Sequence, residues 1–110
     1  RRSSDLLLQS EIPFTALVCG NDEMAAGAIS VAREYGMNIP GDISIVGFDN
    51  VFFTRFMHPR LSTVDYPIDT MGQMAARCVL RDVYDKTYDS IQSRFEPRLV
   101  HRESIKGLEA

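Results

Sequence analysis

The run Ile43-Ser44-Ile45-Val46-Gly47-Phe48 is almost continuously apolar, and it constrains the fold more than any other stretch. A strand wetted on one side alternates apolar with polar residues, whereas one without alternation suits a parallel sheet covered on both faces. Parallel neighbours need crossover connections, usually helical, and the flanking sequence supplies them. Asn21 to Tyr35 reads as a helix: Met24, Ala28, Val31, Ala32 and Tyr35 recur at three-to-four spacing, Asp22 and Glu23 suit the first turn, and Gly36 suits a left-handed stop. Before it, Thr15 to Cys19 is β-type, entered from a helix end at Leu6 to Gln9 through Ser10-Glu11-Ile12-Pro13, so the chain is expected to open within an element.

Downstream the alternation continues. Asn38 to Asp42 is a loop, Asn50 to Met57 a short and very apolar helix, and Leu61 to Val64 a third strand. Pro67 suits the start of a helix to about Tyr84 with a buried stripe of Ile68, Met71, Ala75, Cys78 and Val79. Asp85 to Gln92 is turn-like, Arg94 to Arg102 is extended with Pro97 at an edge or bulge, and the tail from Lys106 is expected to fray. The pattern predicts a three-layer α/β/α architecture with a mostly parallel sheet. There is no internal repeat, low-complexity tract or linker.

Composition excludes several roles. A chain of 110 residues with 45% hydrophobic and 25% charged residues can close one core, and a formal charge of −3 offers no footprint for nucleic acid. The densest basic stretch, Arg94 to Arg102, is diluted by Glu96 and Glu103 and reads as a solvated strand face. Cys19 and Cys78 form no CxxC pair and no His stands at zinc-ligand spacing, so two buried, reduced thiols and no metal are expected. The apolar run Leu6-Leu7-Leu8 is too short for a signal sequence or membrane span, which makes the cytoplasm the simplest location and a membrane partner unexpected.

In a parallel sheet, ligands bind beyond the carboxyl ends of the strands, where loops diverge and helix N-termini point into the crevice. Asn21 follows Val18-Cys19-Gly20, Asp49 follows Val46-Gly47-Phe48, and Asp65 with Tyr66 follows Thr63-Val64. A carboxylate that accepts and an amide that both donates and accepts suit the vicinal hydroxyls of a sugar-like ligand. The competing reading is that Asn21 and Asp49 are helix N-caps with no ligand at all.

Catalysis is poorly supported. Ser44 and Ser62 lie in strands outside any Gly-x-Ser-x-Gly turn, His58 precedes Pro59 in a loop, and His101 sits in a strand, which leaves a small hydrolase using Asp49 and His58 as a remote option. Gly20, Gly27 and Gly36 lack phosphate-loop or dinucleotide spacing, so no cofactor is expected. Val51 to Met57 carries more large apolar side chains than one buried face requires. Core packing takes some, and either the core or a subunit contact takes the rest, with Phe53, Phe56 and Met57 the outward candidates.

Four blocks then share one resemblance. Cys19-Gly20-Asn21-Asp22-Glu23-Met24-Ala25-Ala26-Gly27-Ala28, Ile39 to Asn50, Pro59-Arg60-Leu61-Ser62-Thr63-Val64 and Leu99-Val100-His101-Arg102-Glu103-Ser104 stand in the order found in the lactose/galactose repressor family of bacterial transcription regulators. The chain resembles that family from about Pro13 to Ser104, nearest to its galactose-responsive branch. The resemblance implies a periplasmic-binding-protein-like effector domain, here its C-terminal part, residues 1–110, with a DNA-binding headpiece and a first subdomain carried elsewhere. It implies that Asn21 and Asp49 hydrogen-bond effector hydroxyls, that Tyr66 and Ile68 line the cleft where the chain crosses, and that the helix from Pro67 belongs to the other subdomain. It also implies that Ala26, Ser30, Phe53, Phe56 and Met57 lie on a homodimer surface. Asn50 stands where many relatives have a second Asp, which leaves Asp49 as the charged contact. The function implied is a non-enzymatic, sugar-responsive repressor that meets operator DNA only through its headpiece; a periplasmic sugar-binding protein of a transport system is the alternative.

Overall fold

The computed structural model describes residues 1–88 and 90–108. Two units are distinguished, residues 1–65 with 99–110, and residues 66–98. The element order is α1 (Arg2–Gln9), β1 (Ala16–Val18), α2 (Asp22–Glu34), β2 (Ser44–Val46), a 3-10 helix (Phe52–Phe56), β3 (Thr63–Asp65), α3 (Ile68–Tyr84) and β4 (Arg98–Val100).

In the first unit, β1 and β2 pair in parallel with Leu17 opposite Ile45, and a parallel bridge joins Val46 to Ser62 just before β3. The apolar run around β2 is therefore a central strand, as its lack of alternation requires. Ile43 and Ile45 are fully buried, and with Leu61, Cys19 and the inner face of α2 they form the core. Burying each large aliphatic side chain contributes about 1.5–3 kcal/mol.

The buried face of α2 is Ala25, Ala28, Ile29, Val31 and Ala32, while Met24 and Tyr35, expected on that face, are exposed. Small residues let the helix axis approach the sheet closely; a Met or Tyr would hold it off. Gly36 has φ +75°, and its amide bonds to Arg33 O at 2.9 Å while Met37 N bonds to Ala32 O at 2.9 Å, the paired bonds of a Schellman stop.

The chain expected to fray from Lys106 is held at that residue: Lys106 N donates to Ser44 Oγ at 3.1 Å and its ammonium to Gly41 O. Just upstream, Ile45 N donates to Ser104 O at 2.8 Å. Position 89 of the expected turn and the last two residues of the tail lie outside the described residues.

The second unit is built on α3, which starts after Pro67 and ends at Asp85 in the left-handed region. Its expected buried stripe is not buried: Ile68, Met71, Ala75 and Val79 are exposed and Cys78 is half-buried. An amphipathic stripe buries only where a surface lies opposite it, and no residue of α3 is buried. Among the described residues no helix is long and apolar enough to cross a membrane.

Candidate functional site

The carboxyl ends of β1, β2 and β3 are stitched by backbone hydrogen bonds. Cys19 N donates to Val46 O at 2.9 Å, Gly47 N to Ser62 O at 3.0 Å, Asp22 N to Phe48 O at 3.0 Å and Asp49 N to Val64 O at 3.0 Å. The third of these joins the residue after Asn21 to the residue before Asp49, and the fourth joins Asp49 to the residue before Asp65. Three polar strand-end residues are thus brought to one edge of the first unit.

Asn21 takes the capping role that its position allows. Its backbone is extended and its Oδ1 accepts from Met24 N at 2.8 Å, satisfying one orphan amide of α2. The cap uses the carbonyl end only, so Nδ2 keeps its donor capacity. Asp49 does not stand at the N-cap of the following 3-10 helix, which is Val51; it has φ +115° and the following Asn50 has φ +56°. Consecutive non-glycine residues in this region cost about 1–3 kcal/mol each, and such strain concentrates at functional sites. Tyr66 and Ile68 belong to the second unit; Tyr66 is half-buried and Ile68 exposed.

Beneath this edge lies a polar network that no local sequence signal announces. Asp22 reads as an ordinary first-turn acid, yet it is fully buried, where its Oδ1 accepts from Thr63 Oγ1 at 2.5 Å and its Oδ2 from Val51 N at 2.8 Å. The α2 N-terminus adds a favourable dipole. Thr63 Oγ1 also accepts from Asn50 N at 3.2 Å, and Asn50 Nδ2 donates to Asp65 Oδ1 at 3.1 Å. Arg102, in the stretch read as a solvated strand face, turns inward: Nη2 donates to Asn50 Oδ1 at 2.7 Å and Nη1 to Thr54 Oγ1 at 2.8 Å and Leu61 O at 2.9 Å. Burial lowers the pKa of Arg102, as do Arg55 and Arg60, while Asp22 and Asp65 oppose the shift. Arg98 lies in β4 with its side chain exposed, so the strand-face reading holds only in part.

On another part of the first unit, Ala26, Ile29, Ser30, Arg33, Met57 and His58 line a concavity of about 360 Å³. The structure therefore gathers Ala26, Ser30 and Met57, three of the residues placed on a dimer surface. Met57 is half-buried and packs on the core. The most exposed aromatic side chain of the 3-10 helix is Phe52, at 76%, followed by Phe56 at 64% and Phe53 at 37%. Phe52 and Phe56 stack edge to face with centroids 5.2 Å apart. Phe52 thus joins Phe53 and Phe56 as an outward residue, while Met57 is half-buried. Both cysteines are free, and burial raises the pKa of Cys19, which suppresses thiolate reactivity.

A parallel sheet with polar residues at its strand ends and a polar floor beneath them is an α/β arrangement with a candidate binding edge. Residues 2–105 match the periplasmic binding protein-like domain family, and the chain belongs to that family. The similarity runs to bacterial transcription regulators. The HTH-type transcriptional regulator GalR of Escherichia coli K12 is 46% identical over 92 residues, covering 84% of this chain and 27% of the relative. The HTH-type transcriptional repressor PurR of Proteus mirabilis is 43% identical over 102 residues, covering 93% of this chain and 30% of the relative. A LacI-family regulator from Burkholderia phymatum superposes with a TM-score of 0.85 at 31% identity, over 94% of this chain and 38% of that one. Another, from Enterococcus faecium with bound ribose, gives 0.81 at 30% identity, over 98% and 40%. The chain thus spans under a third of the length of these curated relatives, which are transcription regulators and not enzymes.

Proposed function

We propose that residues 1–110 are the C-terminal part of the effector-sensing domain of a sugar-responsive bacterial transcriptional repressor, with galactose as the effector. The observation that carries this reading is the placement of Asn21 and Asp49 on either side of the Asp22–Phe48 backbone bond, at the carboxyl ends of parallel strands. There an amide donor and a carboxylate acceptor meet vicinal hydroxyls. Tyr66 and Ile68, in the second unit, are proposed as effector contacts on the family resemblance alone. The ribose held by the Enterococcus relative supports a sugar as the ligand class, and the resemblance to the galactose-responsive branch supports galactose within it. No covalent chemistry is needed: the sugar binds one arrangement of the domain better than another, and operator affinity, exerted through a separate headpiece, follows. Such a regulator works in the cytoplasm.

Titrating the full-length protein with a panel containing galactose and ribose, while recording operator binding, tests this function. A change in operator affinity with galactose is expected; no change at saturating galactose removes the galactose assignment, and no response across the panel removes the sugar class. Asn21→Asp keeps an oxygen to cap α2 but deletes the amide donor, so sugar affinity should fall about tenfold with little loss of stability. Asn21→Ala should add a cap loss of about 1 kcal/mol, read by urea unfolding.

The same reading makes the surface of Ala26, Ser30, Phe53, Phe56 and Met57 a homodimer contact, to which the exposed Phe52 is added. Two half-sites on DNA need two headpieces. Replacing Phe52 and Phe56 together by Ser should weaken dimerisation of the full-length protein by about tenfold or more, since exposed aromatics are typical interface anchors. Sedimentation equilibrium reads the result, and an unchanged dimer constant removes these rings from the interface.

A further inference from the structure

The turn carrying Asp49 is one that the backbone does not favour alone, with φ +115° at Asp49 and +56° at Asn50. Its backbone is held by bonds from Asp49 N to Val64 O, from Asn50 N to Thr63 Oγ1 and from Val51 N to Asp22 Oδ2. Its Asn50 side chain is tied to Asp65 and to Arg102, which also reaches the elements on either side. One guanidinium reaches Asn50, the residue after Asp49, then Thr54 inside the 3-10 helix, and the carbonyl of Leu61 on the approach to β3. The backbone amide of Arg102 donates to Ser62 Oγ at 2.8 Å, so the cation is anchored at both ends. A planar fork is suited to three acceptors held in fixed directions; an ammonium is not.

The chemistry of position 50 follows from its neighbours. Oδ1 of Asn50 faces the Arg102 cation at 2.7 Å and Nδ2 faces the Asp65 carboxylate at 3.1 Å. An amide satisfies both at once. A carboxylate there keeps the first bond and sets a like charge against Asp65 in place of the second.

We infer that Arg102, acting through the Asn50 amide, is a positioning residue that fixes the Asp49 turn for effector binding. The inference rests on the reading of Asp49 as an effector contact, and it predicts a local effect: removing the guanidinium loosens residues 49–54 while α2 stays as it was. In the full-length protein, Arg102→Met should speed amide exchange at Asn50 and Val51 by about tenfold or more relative to Val31 and Ala32. It should also weaken binding of whichever panel sugar the unmodified protein takes by about tenfold. Arg102→Lys should recover part of both effects. Asn50→Ser cuts the joint while leaving the bonds from Arg102 to Thr54 and Leu61, and replaces Arg102→Met should that variant not fold. Unchanged exchange at residues 49–54, or an increase shared equally by α2, overturns the inference. Failure of the unmodified protein to bind any sugar overturns the effector reading instead, and the exchange measurement still decides whether Arg102 holds the turn.

Discussion

Gly47→Ala is expected to cost about 4 kcal/mol of stability, a large part of the roughly 5–15 kcal/mol that holds a domain of ordinary size. A Cβ built on Gly47 falls 2.2 Å from Asp22 Oδ1, 3.1 Å from Asp22 Cα and 3.1 Å from Leu61 Cδ2. Two of those atoms cannot yield, because Asp22 Cα is backbone in the first turn of α2 and Leu61 is fully buried in the core. The carboxylate oxygen could swing away only by abandoning Thr63 Oγ1 and Val51 N, leaving buried donors unpaired at about 1–3 kcal/mol. Overpacking adds about 1–3 kcal/mol more. Urea unfolding of the full-length protein measures the sum. Gly20→Ala is the control, since its Cβ would meet only Met24 Sδ at 3.5 Å, an ordinary contact. Equal midpoints for the two variants would contradict the close packing of β2 on α2.

The contrast between these two glycines also marks what a sequence can disclose. Both follow strand-like runs, and nothing local distinguishes them; the neighbours that make Gly47 indispensable come from Asp22 and Leu61, brought in by the parallel crossover. The elements themselves were legible where a local cause exists. The apolar run around β2, the Asn21 cap and the Gly36 stop each act within a few residues, and each is found where the pattern puts it. Of the expected face of α2, Ala28, Val31 and Ala32 are buried and the larger Met24 and Tyr35 at its two ends are not, since a helix lying close on a sheet buries its small residues.

The candidate site was half legible for the same reason. Asn21 and Asp49 are visible as polar residues ending strands, and the backbone bonds between their neighbours bring them together. Their floor is not visible. The partners of Arg102 lie roughly 40 to 50 positions away in the chain, and Thr63 meets Asp22 across a similar span. No periodicity encodes such pairings. Asp22 looked like a favourable helix-start charge, which it is, and its second task as a buried hydrogen-bond acceptor emerges only when three strands are set side by side. The expected stripe of α3 was legible as a pattern but not as burial, because a stripe states that an apolar face exists and not what covers it.

Asp49 offers the sharpest separation of binding from folding, because its side chain and its backbone make opposing demands. The carboxylate is proposed to accept effector hydroxyls, worth about 1–3 kcal/mol for a charge-assisted bond, so both Asp49→Ala and Asp49→Gly should lower sugar affinity about ten- to hundredfold. The backbone at φ +115° is strained for any residue with a Cβ and relaxed for glycine. Relief of about 1–3 kcal/mol, less the roughly 0.5–1 kcal/mol that glycine loses on ordering, should leave the Gly variant about 1 kcal/mol more stable than the Ala variant. Both substitutions delete the same carboxylate and whatever it contacts, so those losses cancel in the comparison and the backbone difference remains. Calorimetric titration with the panel sugars and urea unfolding, run on the two full-length variants, read the two quantities separately. Equal stability would mean that the turn is not strained at Asp49. Undiminished affinity in both variants would mean that the carboxylate does not touch the effector. If affinity falls equally while stability divides, Asp49 is kept in the chain for its ligand, at a cost that the fold by itself would not select.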